Sequence, residues 1–163
     1  MDKREYKEIS ALAANGDTKA FAHLYETIYR EMYYTAYYTL ADDADAVDVV
    51  MRTVKDGFSS VGKLRTEEAF RTFMMKSLCA RIKLCFKDYA GDPVRYDESA
   101  AVLNEYGIDV KQEFNRLGDT ERVVTALYVA GRFTAEEIAA FLGMSARGVR
   151  KRLNKGLELF ELD

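Results

Sequence analysis

The segment from Thr134 to Phe160, TAEEIAAFLGMSARGVRKRLNKGLELF, constrains the fold more than any other part of the chain. Thr134 and Glu137 have the spacing of a capping box, which starts a short helix. Ile138, Ala139 and Leu142 supply its apolar face, and Gly143 stands where the backbone must turn sharply. Ser145 is a good N-cap for a second helix whose Val149 and Leu153, four apart, face one way. Arg147, Arg150, Lys151, Arg152 and Lys155 point mostly elsewhere, and no acid interrupts them. A small Ala139, a turning Gly143 and an inward Val149 are what two closely crossing helices require, so the segment reads as a helix-turn-helix.

The rest of the chain also reads as helix. Asp17 can cap a long helix with an apolar stripe of Phe21, Leu24, Tyr25, Ile28, Tyr29, Met32, Tyr33, Ala36, Tyr37 and Leu40. Tyrosines at such spacing predict core, with hydroxyls reaching the rim. Asp42 and Asp45 open a second helix, with Ala46, Val49, Val50, Val54, Phe58 and Val61 inside. Gly62 to Arg65 form a loop. Thr66 then caps a third helix with Phe70, Phe73, Met74, Leu78, Ile82, Cys85 and Phe86 as its stripe. The sequence around Pro93, the single proline, breaks the pattern and predicts a linker over residues 91–107. Order is expected to resume near Ile108, with Val110, Phe114 and Leu117 following. Gly118-Asp119 starts a helix with Val123, Val124, Leu127 and Tyr128 inside, ended by Gly131. The expectation is an all-α chain of two small helical domains, 1–90 and 108–163, joined by that linker, the second carrying the helix-turn-helix.

Composition narrows the chemistry. The 163 residues carry a net charge of −3, but the charges are segregated. Acid gathers at Asp42, Asp43, Asp45 and Asp48, and base at Lys76 to Lys87 and Arg147 to Lys155, which suits two partners of opposite character. No apolar run approaches membrane-spanning length, so membrane insertion is not expected. The first ten residues are charged and lack the apolar stretch of a leader, which predicts a cytoplasmic location. The single His23 and the Cys79/Cys85 pair, six apart on a helix, provide no metal-ligand set and no disulfide geometry. No nucleophile–base pair or phosphate-cradling loop is present, so neither an enzyme nor a bound cofactor is expected.

The order of these segments resembles a sigma-70 family RNA polymerase sigma factor of the small, two-domain extracytoplasmic-function type, over about Asn15 to Phe160. NGDTKAFAHLYETIYREMYYTAYYTL is similar to the first helix of the second sigma domain, and ADAVDVVMRTV to the acidic helix that docks on polymerase. TEEAFRTFMMKSLCARIKLCFKDY resembles the helix that reads and opens the −10 element. LGDTERVVTALYVAGRFTAEEIAAFLGMSARGVRKRLNKGLELF resembles the domain that reads the −35 element. The chain departs from the family at Met51 and Arg52, where a Gln and an acid are usual, at Cys79-Ala80, where Arg-Asn is frequent, and at Gly148, where Thr is frequent. Phe58 and Phe73 stand where tryptophans are common.

The resemblance implies a factor that binds core polymerase, through the largest-subunit clamp helices and the flap, and directs it to promoter DNA. An anti-sigma factor is a further partner that it implies. Asp45, Asp48 and Arg52 lie on the implied polymerase face. Lys63, Arg65, Lys76, Arg81, Lys83 and Lys87 lie on the implied −10 face, and Ser145, Arg147, Arg150, Lys151, Asn154 and Lys155 on the −35 face. Arg suits bidentate contact with guanine, Lys suits phosphate, and Asn154 suits adenine or phosphate. Arg152 falls nearer the buried edge. Two other readings stay open: a stand-alone helix-turn-helix regulator that keeps the fold without polymerase docking, and a degenerate sigma-like interaction module. In either basic segment the cations can also be an ordinary solvated helix face.

Overall fold

The computed structural model describes residues 1–89 and 117–158, and among these all regular structure is helical. The helices are α1 (Lys3–Ala14), α2 (Thr18–Glu26), α3 (Tyr29–Leu40), α4 (Asp43–Ser60), α5 (Glu67–Tyr89), α6 (Asp119–Val129), α7 (Ala135–Leu142) and α8 (Ala146–Leu157), with a 3₁₀ turn at Val61–Lys63. The predicted break at Pro93, the linker and the order expected near Ile108 lie outside the described residues.

Most helix starts follow from side-chain caps. Asp2, Asp17, Asp42, Thr134 and Ser145 each accept a hydrogen bond from a backbone N–H three residues on. Thr66 does the same for α5, accepting from Ala69 N at 3.0 Å. Helix α1 was not anticipated. It buries only Tyr6 and Ala13, too few apolar positions for a clear period, and the Tyr6 hydroxyl donates to the Leu64 carbonyl at 2.6 Å.

The single long helix expected from Asp17 to Leu40 is two helices, split at Thr27 and Ile28. The Thr27 hydroxyl donates to the Leu24 carbonyl at 2.7 Å, and the Thr27 and Ile28 amides bond back three residues. Arg71 of α5 donates to the Thr27 carbonyl at 3.1 Å, so a distant side chain holds the break. The core stripe is then Phe21, Leu24, Ile28, Met32, Ala36 and Leu40, all buried. The tyrosines expected in the core lie along its rim: Tyr25, Tyr33 and Tyr37 are half-buried and Tyr29 is exposed. Tyr128, also expected inside, is exposed.

Helices α1–α5 pack around Phe70, Met74, Met75, Leu78 and Ile82 of α5. Helices α6–α8 pack around Val123, Val124, Leu127, Ile138, Val149 and Leu153. The two groups share one apolar cluster, joined where α3 meets α6 and α5 meets α7. Arg122 of α6 is buried in this seam and donates from Nη2 to the Thr39 carbonyl of α3 at 2.7 Å. Burying an Arg is costly without such bonds, which makes it a strong tie once formed.

Candidate nucleic-acid interface

Helices α7 and α8 and the turn between them are assembled by local bonds. Thr134 Oγ1 accepts from Glu137 N at 3.2 Å, and Glu137 Oε1 accepts from Thr134 N at 3.0 Å, closing the capping box. Gly143 adopts φ +65°, the left-handed conformation a side chain would disfavour, and Met144 N returns to the Ala139 carbonyl at 3.0 Å. Ser145 Oγ accepts from Gly148 N at 3.0 Å. A Cβ on Gly148 would stand 3.1 Å from that hydroxyl, so this glycine makes room for the cap of its own helix.

Helix α8 is held by its inner face. Val149, Leu153 and Gly156 are buried, and a Cβ on Gly156 would lie 1.8 Å from Thr125 Oγ1, so only glycine permits the close crossing with α6. Arg152 is half-buried and bonds Glu121 Oε1 at 3.2 Å, in keeping with its place at the inner edge. The outer face carries Arg147, Arg150, Lys151, Asn154 and Lys155, all exposed, with Ser145 at its N-terminal end. Arg150 forms an ion pair with Glu136 of α7. Among the described residues, Arg147, Lys151 and Lys155 form no ion pair. This face can neutralise phosphate, and it can present two donors from Arg147 and a donor–acceptor pair from Asn154.

The second cationic set is less uniform. Lys76, Lys83 and Lys87 of α5 are exposed and, at spacings of seven and four, share one face. Lys63 and Arg65 are exposed on the loop that Tyr6 anchors through Leu64. Arg81 points another way. Its Nε and Nη2 bond both Asp56 oxygens at 2.8 Å, and Ser77 donates to the same carboxylate at 2.7 Å. The Arg81 hydrogen bond holds the Asp56 carboxyl below its usual range and raises the guanidinium in turn. Arg81 thus braces α4 against α5, with its fork already engaged. Asp56 was not singled out beforehand; its reach across to α5 has no signature in α4 alone.

On α4, Asp48 and Arg52 are exposed and bond one another at 2.9 Å, while Asp45 is half-buried in the first turn. Arg52 therefore occupies the neighbouring Asp48 carboxylate. His23 is exposed, and Cys79 is buried, with burial pushing its thiol up to about 12. Among the described residues, no group of three or more His, Cys, Asp or Glu could hold a metal ion, and no helix is long and apolar enough to cross a membrane.

The architecture is similar to that of CnrH in complex with the cytosolic domain of CnrY, with a TM-score of 0.70 and 21% identity over 95% of this chain and 94% of that one. No protein-family model matches the sequence, and no curated protein matches it.

Proposed function

We propose that this chain is a sigma factor of the extracytoplasmic-function type, which binds core RNA polymerase and directs it to promoters. The fold supports this reading, since CnrH is such a factor. The observation that carries it is the pair of exposed cationic faces on separate helices of that fold, Lys76/Lys83/Lys87 on α5 and Arg147/Lys151/Lys155 on α8. In this reading Ser145, Arg147, Arg150, Lys151, Asn154 and Lys155 contact the −35 element. Lys63, Arg65, Lys76, Lys83 and Lys87 contact the −10 region, and Arg81 supports that face from beneath. Asp45, Asp48 and Arg52 meet the polymerase, which performs the chemistry. CnrH was solved with an anti-sigma partner, and an anti-sigma factor belongs to the proposal for this chain too.

The test is reconstitution. Purified chain and core polymerase should form a stable complex and give promoter-dependent transcripts from a genomic template pool; the reading would be falsified by the absence of both.

The Asp48–Arg52 bond favours a second reading, a helix-turn-helix regulator without polymerase docking, because it ties up the carboxylate best placed to dock. Sequence-specific duplex binding by the chain alone, with no polymerase complex, would select it.

A further inference from the structure

Helices α2 and α3 carry a surface feature that neither reading uses. Tyr25, Tyr29, Tyr33 and Tyr37 follow one another at ring-centroid distances of 6.2, 6.3 and 5.6 Å. The last two contacts are stacked, with interplanar angles of 17° and 15°. Tyr34 meets Tyr33 edge-on at 5.5 Å and Tyr38 at 6.4 Å, widening the row into a patch. Tyr29 is 42% exposed and Tyr34 39%, so the patch opens to solvent although its neighbours bury one edge.

The chemistry around the patch selects an occupant. The Tyr33 hydroxyl donates to the Asp43 carboxylate, placing a negative charge at the border of the row. Val47, one turn beyond Asp43 on α4 and 41% exposed, adds an apolar neighbour on the same helix edge. Glu26 is exposed between Tyr25 and Tyr29 in the chain. Of the nearby cations, Arg71 is bonded to the Thr27 carbonyl, and Arg30 lies with its guanidinium 5.0 Å from the Tyr34 ring centre. The surface thus already seats one guanidinium on a tyrosine face, as the ring quadrupole favours. The bordering Asp43 carboxylate repels phosphate, which argues against a nucleic-acid strand stacked on the same rings.

We propose that this tyrosine row is a docking surface for an arginine-bearing segment of a partner protein, with guanidinium groups laid on the ring faces and their charge met by Asp43. Arginine is preferred to lysine because its planar, weakly hydrated cation stacks while still donating to carboxylate. The surface uses none of the residues that the sigma-factor reading assigns, although Asp43 and Val47 share α4 with Asp45, Asp48 and Arg52.

The experiment titrates the full chain with a synthetic peptide alternating arginine and glycine, its lysine counterpart, and single-stranded oligo-dT. Binding is read by amide shifts and by quenching of tyrosine emission, which no tryptophan obscures in this chain. The arginine peptide should bind more tightly than the lysine peptide and shift amides of α2, α3 and the start of α4. Tyr29→Ala with Tyr34→Ala should weaken it about tenfold, whereas Tyr29→Phe with Tyr34→Phe should retain it, because phenylalanine keeps the ring face. Circular dichroism of each variant separates lost binding from lost folding, and the wild-type shift map stands on its own if the alanine pair unfolds. The proposal is overturned if the peptide shifts map elsewhere, if both peptides bind alike, if the folded alanine pair binds as wild type, or if oligo-dT takes the row instead.

Discussion

Arg122 of α6, 1% exposed, donates to the backbone carbonyl of Thr39 on α3 at 2.7 Å, so the group α6–α8 is tied to the group α1–α5 by a charged side chain across a buried seam. Around it, the hydroxyls of Thr35, Thr39 and Thr125 are buried without a hydrogen-bond partner. The seam therefore combines one strong bond with several desolvated polar groups.

Two substitutions should move its stability in opposite directions. Arg122→Ala should cost about 2–4 kcal/mol, because it removes a charge-assisted bond and strands the Thr39 carbonyl. Thr39→Val should leave stability unchanged or raise it by up to about 1 kcal/mol, since a methyl group replaces an unpaired hydroxyl. Urea denaturation reads both, and a wider radius of gyration in scattering should accompany only the Arg122 change.

The two glycines of α8 should part company. Gly156→Ala should destabilise by about 1–3 kcal/mol, because its Cβ would stand 1.8 Å from Thr125 Oγ1. Thr125→Ala should recover much of that loss. Gly148→Ala would press on the Ser145 cap at 3.1 Å and touch Met144 Cε at 3.7 Å, so a loosened cap should offset the helix-propensity gain of about 0.5–1 kcal/mol and leave stability nearly unchanged. Thermal melts of the variants decide it.

The Asp56–Arg81 bond predicts a pH dependence. The folded Asp56 pKa lies below its ordinary value of 3.8, so the unfolded chain binds the proton more readily. The stabilisation is present above about pH 4 and is lost as pH falls through the lower folded pKa. Asp56→Asn should flatten that part of the acid limb in denaturation midpoints measured against pH, while leaving the neutral-to-basic side shifted uniformly.

For DNA, the outer and inner cations of α8 should behave differently. Arg147→Glu with Arg150→Glu should abolish recognition of the upstream element while the fold survives, since both side chains are exposed. Lys151→Ala should weaken binding to all duplexes and lower the slope of log affinity against log salt by about 1. Arg152→Ala should lower stability, because it releases the half-buried Glu121. Duplex titrations at several salt concentrations, with melts alongside, separate these effects.

The proposed polymerase docking can be tested at Asp48 and Arg52. Arg52→Gln frees the Asp48 carboxylate from its 2.9 Å bond. If α4 docks through Asp48, the variant should hold core polymerase about threefold or more tighter, whereas Asp48→Ala should weaken it, on the scale of an exposed ion pair. Equal affinity for all three proteins would remove Asp48 from the interface.

Local features of α7 and α8 are legible in the sequence alone. Thr134, Glu137, Gly143 and Ser145 specify the two helices and their turn because caps and left-handed turns act within four residues of the chain, and the 3.6-residue period of Val149 and Leu153 assigns the outer face of α8. Asp42 and Thr66 set the starts of α4 and α5 for the same reason. Other features depend on partners distant in sequence. The carbonyl of Thr27 meets Arg71 of α5, which helps end α2 early; Asp56 claims Arg81; Thr39 accepts from Arg122; and Thr125 crowds Gly156. The tyrosines of α3 carry the period of a core helix, yet they line its rim, because Ile28, Met32, Ala36 and Leu40 already fill the space between the helices. A periodic pattern specifies which residues share a face, and the volume available across the interface settles how far that face is buried.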